Sequence, residues 1–197
     1  MIIKSYSKIN LSLRVLRKMK NGFHDIQSNV FLLNLHDEIS IKKINSLNDI
    51  VVFKGQFNKL VNKHDNSVVK ILRILRIKKI INQGYKVVIN KKIPVFSGLG
   101  GGTGNAVSIL KYFFKRKKIN QNIIKKAEKH VGTDLRLFFN KQTYQKSLLK
   151  VVKYKKKYNL IFLIIYPKIT CSSKDIYSRV REYSAPSKED YSKSKSS

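Results

Sequence analysis

Alternating apolar and polar residues predict strands in the first part of the chain. Between residues 8 and 16 the odd positions are apolar and the even positions are polar. This period of two predicts a half-buried strand, and its polar face begins with Lys8 and Asn10. Two apolar runs, Val30–Leu35 and Ile39–Ile44, predict further strands separated by an acidic turn.

The pattern becomes helical after Asn66. Apolar residues recur there at spacings of three to five, which predicts an amphipathic helix. Asn66 or Ser67 is a suitable N-cap, and Gly84 lies just past the predicted end. The remaining predicted elements are a strand at Tyr85–Asn90, helices at Asn105–Phe114 and Gln121–His130, and a buried strand at Leu160–Tyr166. The fold class is therefore α/β.

Composition indicates a globular chain with an extreme charge. The 197 residues are 42% hydrophobic, and 42 Lys and Arg oppose 11 Asp and Glu, which gives a net charge of +31. Such a charge favours an anionic partner, unless it reflects a bias that fills solvated surface with lysine. The basic residues are scattered, which favours the second explanation and no specific nucleic-acid partner. One cysteine excludes an internal disulfide and a Cys-rich metal site.

No membrane partner is expected either. The N-terminus lacks the apolar stretch of a secretory signal, and Leu160–Tyr166, the most apolar run, is far shorter than the roughly 20 residues of a transmembrane helix. We therefore expect a cytoplasmic protein.

The segment Pro94–Asn105 carries the clearest chemical signal. It places five glycines within seven residues, between an apolar strand and an apolar helix. Glycines let backbone N–H groups approach an anion closely, and a following helix adds unpaired donors and a positive dipole end. No Gly-Lys-Ser/Thr ending and no dinucleotide spacing are present. A flexible linker is the alternative, but the flanking elements favour a phosphate-binding loop.

Lys8 and Asp134 are candidates for phosphoryl-transfer chemistry. Transfer to a hydroxyl uses a carboxylate to accept the proton and a nearby ammonium to stabilise charge. Asp134 follows Gly132 and precedes an apolar run, and Lys8 heads the first strand. Taken alone, a lysine on a strand is usually solvated and Gly-x-Asp is an ordinary turn, so both interpretations stay open.

Four segments together resemble the GHMP small-molecule kinases, over residues 5–180. They are Ser7-Lys8-Ile9-Asn10-Leu11, Asn21-Gly22-Phe23-His24, Pro94–Asn105 and Gly132-Thr133-Asp134, and they occur in the family's order. The resemblance implies a GHMP kinase N-terminal domain, of the ribosomal protein S5 domain 2 type, at residues 1–155. It implies the start of a truncated ferredoxin-like domain at 156–183. Residues 184–197, rich in Ser and Lys, are expected to be a disordered tail.

The resemblance also implies an activity. Within the family, the chain most resembles members of the non-mevalonate isoprenoid pathway. These use ATP and Mg²⁺ to phosphorylate the 2-hydroxyl of 4-diphosphocytidyl-2-C-methyl-D-erythritol. Lys8 and Asp134 would be the catalytic pair, Asn10 would lie beside them, and magnesium would bridge the phosphates without a protein ligand assigned to it. The phosphate loop would consist of Pro94, Val95, Phe96, Ser97, Gly98, Leu99, Gly100, Gly101, Gly102, Thr103 and Gly104.

Two residues would bind the cytosine of that substrate. The resemblance assigns a hydrogen bond to His24 and an aromatic face to Tyr177. A surface histidine and a core aromatic are equally good interpretations of these two residues.

The chain departs from the family at several positions. Phe96 and Ser97 replace glycines, Thr103-Gly104 replaces Ser-Ser, Arg136 replaces proline, and a Lys-rich stretch replaces a Gly-x-Gly-Glu segment. The second domain of the family has barely begun where the sequence stops. Two other hypotheses therefore stay open: a non-functional kinase fragment, and a basic nucleic-acid-binding protein.

Overall fold

The computed structural model describes residues 1–115, 119–167 and 173–187. Its elements, in chain order, are β1 (Ile2–Lys18), β2 (His24–Lys43), β3 (Ile50–Lys54), α1 (Ser67–Ile77), β4 (Tyr85–Asn90), α2 (Gly101–Phe114), α3 (Gln121–Val131), a 3₁₀ helix (Thr133–Phe139), β5 (Gln142–Gln145), β6 (Val151–Lys153) and α4 (Ser173–Ser178). This mixed α/β content agrees with the predicted fold class.

The chain forms two compact units, and the long strands β1 and β2 contribute to both. The first unit contains Met1–Ser7, Leu33–Val95 and Leu99–Phe139. The second contains Lys8–Leu32, Phe96–Gly98 and the chain from Asn140 onward.

The first unit combines β3, β4 and parts of β1 and β2 with the helices α1 to α3. β4 pairs antiparallel with the C-terminal half of β2, from Glu38 opposite Asn90 to Lys43 opposite Tyr85. β3 runs parallel to β4 on its other side. The helices and the 3₁₀ helix pack on one another, and fully buried aliphatic side chains fill the core. These include Ile71, Leu75, Ile89, Ile109, Leu110 and Leu135.

The second unit contains strand pairs of the same sheet. The N-terminal half of β2 pairs antiparallel with β5, with Ser28 opposite Gln145, and β5 pairs antiparallel with β6. Phe31, Tyr144 and Tyr154 form a small core against which Ile9 packs.

Several predicted elements are confirmed. β4 has the predicted bounds, and α3 extends one residue beyond them. α1 begins at Ser67, and the Asn66 side chain accepts from the N–H groups of Val68 and Val69 at 3.0 Å each, as expected of an N-cap. α1 ends before the expected glycine, because Lys79 adopts a left-handed conformation with φ 55°.

The acidic turn predicted between Val30–Leu35 and Ile39–Ile44 is wrong, because β2 continues through it without interruption. Asp37 is fully buried there. Its carboxylate accepts from the ammonium of Lys91 and from the backbone N–H groups of Lys92 at 2.8 Å and Ile93 at 2.9 Å. A charged residue therefore sits inside a strand because distant donors satisfy it.

Two other elements differ from the prediction. α2 begins at Gly101, four residues before the expected Asn105, so the last glycines belong to its first turn. The buried strand predicted at Leu160–Tyr166 is wrong: the segment forms no strand, and Ile161, Leu163 and Ile165 are almost fully exposed. No described strand pairs with this segment.

The predicted tail is described only as far as Ser187. Ser184 N–H donates to the carbonyl of Val15 at 2.8 Å, and the Ser187 backbone exchanges hydrogen bonds with the Gln27 side chain. Residues 188–197 lie outside the described part of the chain. Among the described helices, none has the length and apolar character needed to cross a bilayer.

Candidate phosphate-binding and catalytic site

The glycine-rich segment has an irregular backbone that glycine accommodates. Gly98 has φ 75° and Gly100 has φ 69°, both in the left-handed region. Phe96, one of the residues that depart from the family, also adopts φ 59°. The site thus keeps a glycine-like conformation at Phe96, at the energetic cost that a side chain brings there.

The segment ends in a helix N-terminus that offers backbone donors. Gly100 is the N-cap of α2 and has no side chain to satisfy the first amides. The N–H group of Gly104 already donates to the Gly100 carbonyl at 2.9 Å, so the amides of Gly101, Gly102 and Thr103 precede the first helical hydrogen bond. The first turn carries no acidic residue. Such a terminus attracts an anion through its amides and its dipole.

The first turn of α2 lies directly against β1 and the 3₁₀ helix. A Cβ at Gly104 would lie 2.8 Å from the Tyr6 carbonyl oxygen and 3.1 Å from the Phe138 ring. Glycine at this position is therefore a packing requirement. It lets the start of the helix approach the element that carries Asp134.

The 3₁₀ helix that carries Asp134 is fixed by two side-chain contacts. Arg136 forms a bidentate ion pair with Glu128 of α3, with one contact of 3.0 Å. Lys111 of α2 donates to the carbonyl of Phe138 at 2.8 Å. Burial lowers the pKa of the Lys111 ammonium, and these carbonyl contacts compensate part of its desolvation. The arginine that replaces the family's proline thus anchors the element. Asp134 is its second residue and is partly exposed.

In the second unit, Lys8 begins a chain of hydrogen bonds. Lys8 is 8% exposed, and its ammonium donates to Asn10 Oδ1 at 2.6 Å. Asn10 Nδ2 donates to Ser28 Oγ at 2.6 Å, and the Ser28 hydroxyl donates to the carbonyl of Ser12 at 2.6 Å. The sequence analysis placed Asn10 beside Lys8 but did not identify Ser28.

His24 and Tyr177 also lie together in the second unit. Their rings stack with centroids 5.5 Å apart and planes 21° apart. Tyr183, which sequence reasoning missed, stacks on His24 at 6.4 Å and 27°. Three partly exposed rings at one place offer faces on which a planar base can stack.

The predicted site residues are divided between the two units. Pro94, Val95, the segment 99–104 and Asp134 belong to the first, and Lys8, Asn10, His24, Tyr177 and the segment 96–98 belong to the second. Among the described residues, no three His, Cys, Asp or Glu side chains cluster as a metal site would require.

Comparison with known proteins finds similarity to one kinase family. Residues 66–134 match the GHMP kinases N terminal domain. A 4-diphosphocytidyl-2-C-methyl-D-erythritol kinase of Pelagibacter ubique is 37% identical over 188 residues, which cover 93% of this chain and 66% of the relative. The Finegoldia magna enzyme of the same name is 32% identical, over 92% of this chain and 66% of the relative. The chain thus spans just under two thirds of the length of these relatives.

Solved structures agree on the fold. A crystal structure of 4-(cytidine 5'-diphospho)-2C-methyl-D-erythritol kinase has a TM-score of 0.60 and 18% identity, covering 78% of this chain and 56% of that chain. A mevalonate kinase has a TM-score of 0.57 and 19% identity, covering 79% of this chain and 56% of its own. The predicted α/β fold of the GHMP type is thereby confirmed, and residues 66–134 match the N-terminal domain of the GHMP kinases.

Proposed function

We propose that this chain is an ATP-dependent kinase that phosphorylates the 2-hydroxyl of 4-diphosphocytidyl-2-C-methyl-D-erythritol. The names of the relatives support this choice of substrate within the family. The proposal makes the protein a cytoplasmic enzyme of isoprenoid-precursor synthesis, with small-molecule partners and no specific nucleic-acid partner.

One observation carries the proposal: the start of α2 packs on the 3₁₀ helix that holds Asp134. Gly104 is the contact, since any Cβ there would meet the Phe138 ring and the Tyr6 carbonyl. The amides that precede Gly104 suit a phosphate chain, and Asp134 lies four residues before Phe138. A phosphate cradle and a carboxylate on two elements in contact are the parts that phosphoryl transfer needs.

In this proposal the amides of Gly101, Gly102 and Thr103 hold phosphate oxygens. Asp134 accepts the proton of the substrate hydroxyl, and that oxygen then forms a bond to the γ-phosphorus while the bond to the β-phosphate oxygen breaks. Lys8 supplies positive charge that stabilises the reacting groups, with Asn10 as its hydrogen-bond partner. Arg136 and Lys111 keep the 3₁₀ helix in place while this happens.

In this proposal magnesium binds together with ATP. Mg²⁺ keeps several waters and binds mainly to substrate phosphates with one or two protein oxygens. Thr103 fits that role, since its hydroxyl belongs to the first turn of α2, whose amides would hold the phosphates. When bound, the ion would neutralise charge on the phosphates.

The cytosine of the substrate is assigned to His24 and Tyr177. Their rings already stack on one another, with Tyr183 beside His24. Insertion of a base would extend this stack, and His24 would add a hydrogen bond to the edge of the base.

The test is Asp134→Asn, which removes the proton acceptor and keeps the shape. We expect turnover of the cytidyl substrate to fall by about 10² to 10⁴, the range of general base catalysis. ATP with magnesium should still raise the melting temperature, because the phosphate loop is intact.

The matched control is Asp65→Asn. Asp65 is also a carboxylate of the first unit, but it is exposed and pairs at the surface with Lys70 at 2.9 Å. Its variant should turn over like the parent. Equal turnover in the parent and in Asp134→Asn would refute the role of Asp134, and a parent without any phosphoryl transfer would refute the function.

A further inference from the structure

Ser28 occupies a place in the second unit that is usual for an apolar residue. It lies in β2 on the same face as Ile26 and Val30, and all three are at most 5% exposed. Yet its hydroxyl makes two hydrogen bonds of 2.6 Å: it accepts from Asn10 and donates to the Ser12 carbonyl. A buried hydroxyl satisfied in this way has a defined orientation.

That orientation dictates how the Asn10 amide is turned. The Ser12 carbonyl can only accept, so it takes the hydroxyl proton of Ser28 and leaves Ser28 Oγ as an acceptor. Asn10 must therefore present its NH₂ group to Ser28. Its oxygen then faces Lys8, whose ammonium can only donate. The reversed amide would place two donors against each other.

We propose that Ser28 is a positioning residue for the phosphoryl-transfer reaction: through Asn10 it holds the Lys8 ammonium in its reactive place. This inference rests on the proposed function, in which Lys8 acts at the reacting groups. Ser28 itself touches neither ATP nor the substrate. Its effect is to fix a flexible lysine, and misplacement of a reacting group by about 1 Å can lower a rate about 100-fold.

Ser28→Ala removes the acceptor for Asn10 and leaves the amide free to turn. We expect kcat to fall between about 10-fold and 100-fold, while KM for ATP stays within about twofold, because the hydrogen bonds described for Ser28 join it to Asn10 and Ser12 and to no residue of the phosphate loop. Ser28→Thr keeps the hydroxyl and suits a strand, so it should restore kcat to within about threefold of the parent.

The control variant is Ser7→Ala. Ser7 is also fully buried, on β1, and its hydroxyl likewise donates to a carbonyl, that of Leu35 at 2.9 Å. It has no hydrogen bond to Asn10 among the described contacts. The GHMP pattern has alanine at this position. Its variant should lower the melting temperature as Ser28→Ala does and leave kcat unchanged.

A double-mutant cycle separates positioning from simple destabilisation. If Ser28 acts through Asn10, Ser28→Ala lowers kcat in the parent and has no further effect in an Asn10→Ala background. An equal fold-change in both backgrounds, or an unchanged kcat in Ser28→Ala, would overturn the proposal.

A measurement that does not depend on turnover tests the role of Ser28 separately from the proposed function. The side-chain amide signals of Asn10 in an NMR spectrum are identified by their loss in Asn10→Asp. They should show slowed hydrogen exchange in the parent and rapid exchange in Ser28→Ala. If the parent has no kinase activity, the function fails, and these signals still decide the positioning: equal exchange in both proteins would refute it.

Discussion

Gly104 offers the sharpest test of how the phosphate loop is packed. The change is Gly104→Ala, which adds one methyl group in the first turn of α2. That methyl would lie 2.8 Å from the Tyr6 carbonyl oxygen, 3.1 Å from Phe138 Cε1 and 3.2 Å from Ser5 Oγ. Ordinary van der Waals contact begins at 3.4 Å, so the backbone around Tyr6 must move by about 0.6 Å, the difference between the two distances.

The expected magnitude follows from two opposing effects. Alanine favours a helix over glycine by about 1 kcal/mol. Overpacking in a dense core costs about 1–3 kcal/mol, and the upper part of that range applies because a backbone carbonyl cannot rotate away. The net loss of unfolding free energy is about 1–2 kcal/mol, which corresponds to a fall in Tm of about 2–8 °C for a chain of this size.

The assay is thermal unfolding of Gly104→Ala beside Gly102→Ala. A methyl at Gly102 would meet only the Ser67 side chain, with Oγ at 3.1 Å, and that hydroxyl can rotate. Gly102→Ala should therefore raise Tm by about 1–4 °C through helix propensity alone. The contrast between the two variants cancels propensity and isolates the packing cost. A Tm for Gly104→Ala equal to or above that of Gly102→Ala would refute the close approach of α2 to β1.

Two further predictions concern the acidic residues of β2. Asp37→Asn leaves the ammonium of Lys91 buried without its counter-charge and should lower the unfolding free energy by about 3–5 kcal/mol in urea titrations; a loss below 1 kcal/mol would contradict the buried pair. Hydrogen bonds from Lys92 and Asn90 hold the pKa of Glu38 below its ordinary value of 4.5. The stability that Glu38 adds over Glu38→Gln should therefore be present above pH 4.5 and disappear on acidification through the lowered pKa, whereas an equal difference at pH 7 and pH 3 would exclude this linkage.

Local patterns predicted the elements whose signals are local. Alternation located β1, helical spacing located α1 and α3, and Asn66 was recognised as a cap because capping depends on neighbouring residues. The acidic turn failed for the opposite reason. The partners of Asp37 lie more than 50 residues away in sequence, so no local pattern shows that a strand can contain it.

Composition misled the interpretation in two other places. The strands β5 and β6 were not predicted, because they lie in the Lys-rich stretch after residue 140. Thr143 and Gln145 of β5 are fully buried although both are polar. Glycines at the start of α2 hid its first turn, because glycine is a poor helix former whose use here is close packing.

The motifs of the candidate site could be predicted from the sequence, but the hydrogen bonds that join its residues could not. The glycine segment, Lys8, Asn10 and Asp134 each belong to a recognisable pattern. Ser28 belongs to none, but one signal was available: a serine on the β2 face otherwise formed by Ile26 and Val30. A polar residue at an apolar position of an alternating strand indicates a hydrogen-bonding role.

The exposed aliphatic segment around Ile161, Leu163 and Ile165 bears on the self-association of this chain. Exposed, uncharged, branched side chains in a segment that pairs with no described strand attract the same segment of another copy. The net charge of +31 opposes that attraction through repulsion over about 10 Å at 0.1 M salt and only about 3 Å at 1 M. Raising the ionic strength should therefore favour self-association of concentrated chains.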